Sequence, residues 1–373
     1  EIMASEARIE RFLRERGARR LRVAILTERA GPALMAELRQ HLRERRHARR
    51  IVLRSGSCLR LEGLERVDFA HAAAVLLPAA DTVAGSAVDA DARSVKTLMT
   101  MGAALAEDPP ETPPLVVIEV HDTHHAAALP ALYPGPLEVV AGDDILVQLM
   151  VQAIRQPGLS HVYQEFLSDI SGSQIYVREQ PHLVGASFGE LAYAFPEGVL
   201  LGIVRPDGGD FAALLNPDAD LQLQPGDRVA VLAASYSDAR PPAGVGPAPA
   251  LTERPRPPAR VQTRRRVLVL GWSQLVPALL EELASYPDEA FEIDIVSELA
   301  AAKRKKRITA EELDPARVQV RQLELDYTVA AYLEALDPAG YDNVLLLRNG
   351  RLKAGSEADA QPILAYLLLR QLT

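Results

Sequence analysis

The sequence predicts an α/β protein in which two doubly wound parallel units flank a smaller α+β unit. Three observations predict it. The 373-residue chain repeats one pattern some 268 residues apart: AAVLLPAADTVAGSAVDADARSVKTLM at 73–99 returns as NVLLLRNGRLKAGSEADAQPILAYLL at 343–368. Each copy is an apolar strand, a polar loop, an Asp-Ala step and an apolar helix, and aligning Asp91 with Asp359 brings Val75 within one residue of Val344. A second match lies just upstream, SGSCLRLEGLERV from Ser55 against ELDYTVAAYLEAL from Glu324. Between the copies stands a block of strands punctuated by Gly and Pro.

The elements follow in order. A helix-like start at Ile9–Arg16 precedes strand Leu21–Leu26, a helical stretch at Ala33–Arg46, strand Ile51–Leu53, helix Leu59–Val67, strand Ala74–Leu77 and helix Ala90–Met101. PPETPP at 109–114 is a loop, because Pro removes the backbone donors a helix or ladder needs. Strand Leu115–Val120, a short helix ending before Pro134 and strand Leu137–Val140 lead into helix Asp143–Arg155, whose first acids suit the positive end of a helix dipole. Strands and helices alternating at this spacing indicate a parallel sheet. After QPG at 156–158, helix Leu159–Asp169 opens the β-rich block, with turn chemistry at FPEG, RPDGGD, NPDAD and QPGD. RPPAGVGPAPALTERPRPPAR at 240–260 holds seven prolines, the composition of a semi-rigid linker. The expected organisation is residues 1–157, first α/β unit; 158–236, crossover helix and α+β unit; 237–264, linker; 265–373, second α/β unit. FEIDIVSE at 291–298 matches LRVAILTE at 21–28, so the counterpart of VLVLGW at 267–272 would lie upstream of residue 1. The second unit would likewise stop before its later strands.

Composition narrows the class. The chain is 48% apolar and about a quarter charged, as in soluble globular proteins. No apolar run approaches the roughly 20 residues of a membrane span, and EIMASEAR lacks the core of a signal peptide. A single cysteine, Cys58, excludes a disulfide framework and suits a reducing, cytosolic setting. The net charge of −9 is uneven: residues 1–50 carry fourteen Arg against seven acids. Those arginines form solvated helix faces or a basic segment near an anionic membrane surface. KRKKR at 303–307 has no interleaved aromatics and reads as a solvated loop or helix end, so no nucleic-acid partner is expected.

Chemistry-bearing motifs are few. VLVLGWSQLVPALLEEL has the strand-to-helix turn of a dinucleotide site but keeps only Gly271 of its three glycines, followed by bulky Trp272. Glu298 stands where a ribose-binding acid would sit, with Glu28 as its counterpart; without the glycines, NAD is not an expected cofactor. The candidate ligand-binding set is Glu28, Ser55, Gly56, Asp81, Asp91, Asp143, Asp144, Gly271 and Glu298. Asp89, Asp91, Asp143, Asp144, Asp218 and Asp220 supply hard oxygen donors suited to calcium, though none has EF-hand spacing and such clusters are mostly turn or cap residues. His121, Asp122, His124 and His125 follow a strand rather than sharing a helix face, a poor zinc pattern. There is no nucleophile elbow, P-loop or HExxH, and an enzyme is not expected.

The β-rich block, PHLVGASFGELAYAFPEGVLLGIVRPDGGDFAALLNPDADLQLQPGDRVAVLA, resembles the C-terminal subdomain of RCK (TrkA-C) regulatory modules. RSGSCLRLEGLERV, DDILVQLMVQAIRQPGL, LGWSQLVPALL, KRKKRIT and ADAQPILAYLLLR resemble the CASTOR/POLLUX family of cation channels, so the likeness covers nearly the whole chain. The resemblance implies two Rossmann-like RCK N-lobes flanking a TrkA-C-type subdomain. It further implies the cytosolic gating ring of a tetrameric, potassium-type channel, with calcium as the regulating ligand and the membrane pore domain upstream in the same polypeptide. Two other classes stay open. A peripheral nucleotide-binding subunit of a potassium uptake system would need intact glycine fingerprints. A nucleotide-dependent oxidoreductase would need a substrate domain and acid–base residues.

Overall fold

The computed structural model describes residues 22–41, 47–79, 87–121, 126, 128–167, 173–207, 210–241, 263–308, 313–348 and 356–372. The helix read at Ile9–Arg16, most of the Pro-rich linker, Asp81, Asp122, His124 and His125 lie outside them. The chain divides into two compact units: Glu1–Arg155 together with Arg260–Thr373, and Gln156–Ala259. The two α/β lobes, far apart in sequence, therefore share one unit.

Lobe 1 runs β1 (Val23–Thr27), α1 (Pro32–His41), β2 (Ile51–Ser55), α2 (Leu61–Glu65), β3 (Ala74–Leu77), α3 (Ala87–Glu107), β4 (Leu115–Val120), β5 (Leu137–Ala141) and α4 (Gly142–Arg155). Helix α3 is longer than the Ala90–Met101 read from periodicity, and the short helix before Pro134 is a 3-10 turn at Leu129–Leu132. The other compact unit holds α5 (Leu159–Leu167), β6 (Gln174–Glu179), α6 (Phe188–Leu191), β7 (Gly198–Asp207), β8 (Asp210–Leu215) and β9 (Arg228–Ala233). Lobe 2 runs β10 (Thr263–Leu270), α7 (Leu275–Ala284), β11 (Glu289–Val296), α8 (Ala301–Ile308), β12 (Val318–Leu323), α9 (Ala330–Ala335), β13 (Asn343–Leu346) and α10 (Ser356–Leu372).

In lobe 2 four parallel strands lie in the order β12-β11-β10-β13, the doubly wound arrangement. Val267, Val269, Ile293 and Ile295 face one core, and Leu268, Leu270 and Val296 face the other. With both faces covered, VLVL is an unbroken apolar run instead of an alternating one.

Lobe 1 repeats this backbone closely. Asp68 (φ 53°) and Asp337 (φ 47°) hold equivalent places after α2 and α9, and both are left-handed. Asp is among the few non-glycine residues that tolerate this conformation. Leu64 and Leu333, four residues earlier in each copy, are both buried. The strand register is kept as well: Leu26 opposite Arg54 answers to Val296 opposite Leu323. The lobe 1 strands pair in two groups, β1-β2 and β3-β4-β5. Leu26, Val75 and Leu77 nonetheless pack on one core of Leu64, Phe69, Leu98, Met101, Val116 and Ile118. In lobe 2 β10 pairs with both β11 and β13; among the described residues no strand joins β1 to β3.

Helix α4 closes lobe 1 and is built into lobe 2. Its Val147, Val151 and Ile154 join the core of Val276, Leu279, Leu280 and Leu283 on α7. Full burial of such side chains is worth about 2 kcal/mol each. At its C-terminal end the Arg155 guanidinium donates to Glu289 at 2.8 Å, lies 3.6 Å over the Tyr286 ring, and its carbonyl accepts from Arg265.

The Gln156–Ala259 unit carries an antiparallel sheet, β6-β9-β7-β8, over a core of Leu183, Phe188, Leu191, Phe195, Ile203 and Val229. Its sequence signatures meet in space. Arg205 of RPDG donates twice to Asp227 of QPGD, at 2.9 and 2.7 Å, and a reciprocal capping box joins Ser187 and Glu190. Gly202 must be glycine, since a Cβ there would meet the Leu214 carbonyl oxygen at 2.2 Å.

Candidate functional site: an open cleft and its filled counterpart

In a doubly wound sheet, ligands sit at the carboxyl ends of the strands. The carboxyl ends of β1 and β2 border an open cleft of about 270 Å³, lined by Leu26, Thr27, Glu28, Arg29, Gly56, Cys58 and Arg93. Leu26 supplies an apolar wall. Arg93, from the first half of α3, donates to the Glu28 carboxylate at 3.0 Å. The neighbouring Cys58 thiol and then Glu28 hold its pKa above the ordinary arginine value. Both partners remain substantially exposed, 43% for Arg93 and 59% for Glu28, so the pair is weak and open to competition.

Lobe 2 fills the corresponding place from within. The repeat sets Tyr327 at the position of Cys58 and Gln361 at that of Arg93. Tyr327 is buried, its hydroxyl reaches Gln361 Oε1 at 3.4 Å, and burial above all pushes the phenol up to about 12. Gly271, at φ +107°, lets the β10–α7 turn close on β13: a Cβ there would meet the Leu347 carbonyl oxygen at 2.2 Å. This retained glycine serves packing, and Trp272 beside it is buried.

KRKKR forms the C-terminal part of α8 with Lys303, Lys305, Lys306 and Arg307 exposed, as expected of a solvated helix end, but Arg304 among them is fully buried. Its guanidinium donates to the carbonyls of Leu299 at 2.8 Å, Ile295 at 3.0 Å and Leu323 at 2.8 Å, joining the carboxyl ends of β11 and β12. Trp272 lies 6.0 Å from it. Burial lowers its pKa, but an arginine keeps its charge at any ordinary pH. The carbonyls at this sheet end are thus satisfied by an arginine of the same chain.

The sequence-derived candidates fall into separate groups. Glu28 and Gly56 line the cleft together; Ser55 ends β2 beside it, its carbonyl accepting from Arg66 at 2.7 Å. Asp91 is buried and accepts from the His121 backbone N–H at 2.8 Å and pairs with its ring at 2.9 Å. Asp143 opens α4 and accepts from Gln274 of lobe 2 at 2.8 Å. Its pKa is raised, by burial first, with Gln274 and His121 opposing and Asp144 and Asp91 adding to the rise. Asp91, His121, Asp143 and Asp144 are thus neighbours at the joint between the lobes. Glu298 is exposed in lobe 2, and Asp218 and Asp220 are exposed in a turn of the other unit. Asp89 falls on α3, with its side chain outside the described residues. Among the described residues no group of three or more His, Cys, Asp or Glu is placed so that it could hold a metal ion. Cys58, Arg93, Tyr327 and Arg304 escaped the sequence reading. The alignment of the repeat pairs Cys58 with Tyr327 and was the available signal.

Residues 143–245 match the family model for Castor and Pollux, described as part of a voltage-gated ion channel. The chain is 25% identical over 332 residues to the probable ion channel SYM8 of Pisum sativum, covering 86% of this chain and 35% of that one. It is 26% identical over 329 residues to the ion channel CASTOR of Lotus japonicus, covering 86% and 37%. The chain thus spans about a third of the length of these relatives. The human SLO3 gating ring superposes with a TM-score of 0.63 at 14% identity, covering 96% of this chain and 68% of that one, which shows a shared fold. The chain is therefore similar in sequence to the CASTOR/POLLUX ion channels over most of its length and shares the fold of the SLO3 gating ring.

Proposed function

We propose that the chain is the cytosolic ligand-sensing region of a cation channel of potassium type. In this reading it stands at the cytoplasmic face of a membrane, assembled as a tetrameric ring on a pore domain carried upstream in the same polypeptide. Among the described residues no helix is long and apolar enough to cross a membrane, so conduction falls to other segments. The chain acts by binding and carries out no catalysis.

The observation that carries this reading is the α4 joint. At one end of α4 Asp143 accepts from Gln274 of lobe 2 and lies near His121 and Asp91 of lobe 1, and the other end is clamped in lobe 2 through Arg155. Asp91, two residues before the cleft-lining Arg93, holds His121 close to Asp143. A ligand that favours one placement of Arg93 therefore acts on a helix shared by both lobes. Only the difference in its affinity for two ring states is available to work on a gate.

The test uses the full-length channel in planar bilayers. Asp143→Asn and Gln274→Ala are expected to shift open probability while unitary conductance and ion selectivity stay unchanged. Altered conductance with unchanged gating would contradict the reading. Calcium, the ligand implied by the family resemblance, belongs in the same recordings as a titrated variable.

A further inference from the structure

The exposed cations of lobe 2 are not alike. Arg264, Arg317 and Arg321, on or beside its strands, each have a carboxylate partner: Glu292 at 3.1 Å, Asp314 at 3.5 Å, and Asp294. Lys303, Lys306 and Arg307 of α8 are exposed and, among the described residues, make no ion pair or hydrogen bond through their side chains. Lys305 has a contact of its own and stands apart from them. At positions i, i+3 and i+4 the three side chains share one flank of the helix, with Cβ atoms about 5–6 Å apart. No acid stands on α8, AAKRKKRI, in a chain whose net charge is −9.

Like charges at this spacing repel and weaken a helix. The helix dipole favours cations in the last turn; that accounts for Lys306 and Arg307 but not for Lys303, which precedes it. The helix is pinned from within, since Arg304 ties it to three strand-end carbonyls and Ile308 joins the core. The backbone under the triad is thus fixed before any ligand arrives, which lowers the ordering cost of binding. A fitting occupant carries several negative charges within one helical turn. Anionic bilayers are held by clusters of four or more Lys and Arg, more than this flank presents. A compact molecule with several phosphates matches the triad in both charge and size.

We infer that the exposed flank of α8 binds a small soluble polyphosphate, with Lys303, Lys306 and Arg307 each making charge-assisted hydrogen bonds to phosphate oxygens. This binding is independent of the channel reading and is measured without a pore, so either can fail alone.

Inositol hexakisphosphate is the probe, titrated by calorimetry into the 373-residue chain. A dissociation constant on the order of 10–100 μM is expected at low salt, weakening at least about tenfold by roughly 0.3 M salt as exposed charges are screened. Lys303→Gln/Lys306→Gln/Arg307→Gln should lose at least about tenfold in affinity while circular dichroism shows a folded chain. Lys303→Gln/Lys306→Gln should show an intermediate loss, and it decides alone if the triple variant does not fold. Residues 1–50 carry fourteen arginines, so Arg22→Gln/Arg39→Gln/Arg60→Gln, three exposed positions of lobe 1, serves as the charge-matched control and should stay within about twofold of the parent. Absence of binding at about 1 mM probe, or an equal loss in the control and the α8 variants, would overturn the inference. So would capture by phosphatidylcholine–phosphatidylserine vesicles without binding of the probe, or poly-glutamate binding as tightly as the probe; these would assign the flank to a membrane surface or to an acidic peptide.

Discussion

Lobes 1 and 2 share a backbone down to a left-handed aspartate, yet treat the carboxyl ends of their strands in opposite ways. Lobe 1 leaves a cleft with a competable Glu28–Arg93 pair at its mouth. Lobe 2 closes the same end with the Tyr327 ring and the Arg304 guanidinium, both buried and both hydrogen-bonded within the lobe. Duplicating a fold does not duplicate a site. Part of the contrast lies in β10, which packs on Tyr327 in lobe 2 and has no counterpart among the described residues of lobe 1.

The largest expected effect comes from removing the lobe 2 plug. Arg304→Ala leaves three buried carbonyls without donors, at about 1 kcal/mol or more each. The loss should reach about 3 kcal/mol or more in urea denaturation, whereas Arg93→Ala at the open lobe should cost under about 0.5 kcal/mol. Equal losses would erase the contrast between the lobes. The next test exchanges the two key residues. Tyr327→Cys vacates a packed ring and should cost about 3 kcal/mol; Cys58→Tyr enters existing space and should change stability by less than about 1 kcal/mol.

Acid sharpens the comparison further. Burial pushes the Asp294 carboxyl up, but hydrogen bonds from Arg321 and Tyr341 outweigh it and leave its pKa below the ordinary value. Its contribution to lobe 2 is full above the unfolded carboxylate pKa of about 3.9 and is lost as pH falls through the depressed folded value. Asp143 at the joint behaves in the opposite sense. Its folded pKa is raised, so its ionised form is penalised above that value, and the penalty is relieved as pH falls through it toward the unfolded pKa. Stability measured from pH 7 to pH 3 should lose its acid limb in part on Asp294→Asn. Asp143→Asn should be neutral or slightly stabilising at pH 7, by under about 1 kcal/mol, and should flatten the opposite trend. An Asp143→Asn chain with an unchanged pH profile would remove Asp143 from this account.

Much of this fold was legible because it rests on local patterns. Strand β4 was read to the residue, since PPETPP ends immediately before it and the polar HDTHH follows it. The repeat exposed the equivalence of Glu28 and Glu298 and placed Gly56 beside the cleft. Partnership was harder to read. Helix α4 carries an apolar face, but nothing local says that its partner lies on α7, more than a hundred residues later. KRKKR reads as solvated because charged residues are rarely buried, and only the tertiary arrangement of three strand-end carbonyls makes Arg304 an exception. Asp91 and Asp143 read as cation ligands by residue type, while His121 and Gln274, from distant segments, take up their oxygens.

Cys58 is the only cysteine of the chain and lines the cleft, so it reports directly on whether that end of lobe 1 is open. The most direct measurement is the rate at which iodoacetamide alkylates Cys58 in the native chain, compared with the rate in urea. Openness predicts alkylation without denaturant. Alkylation that occurs only on global unfolding would contradict the distinction between an open lobe 1 and a filled lobe 2.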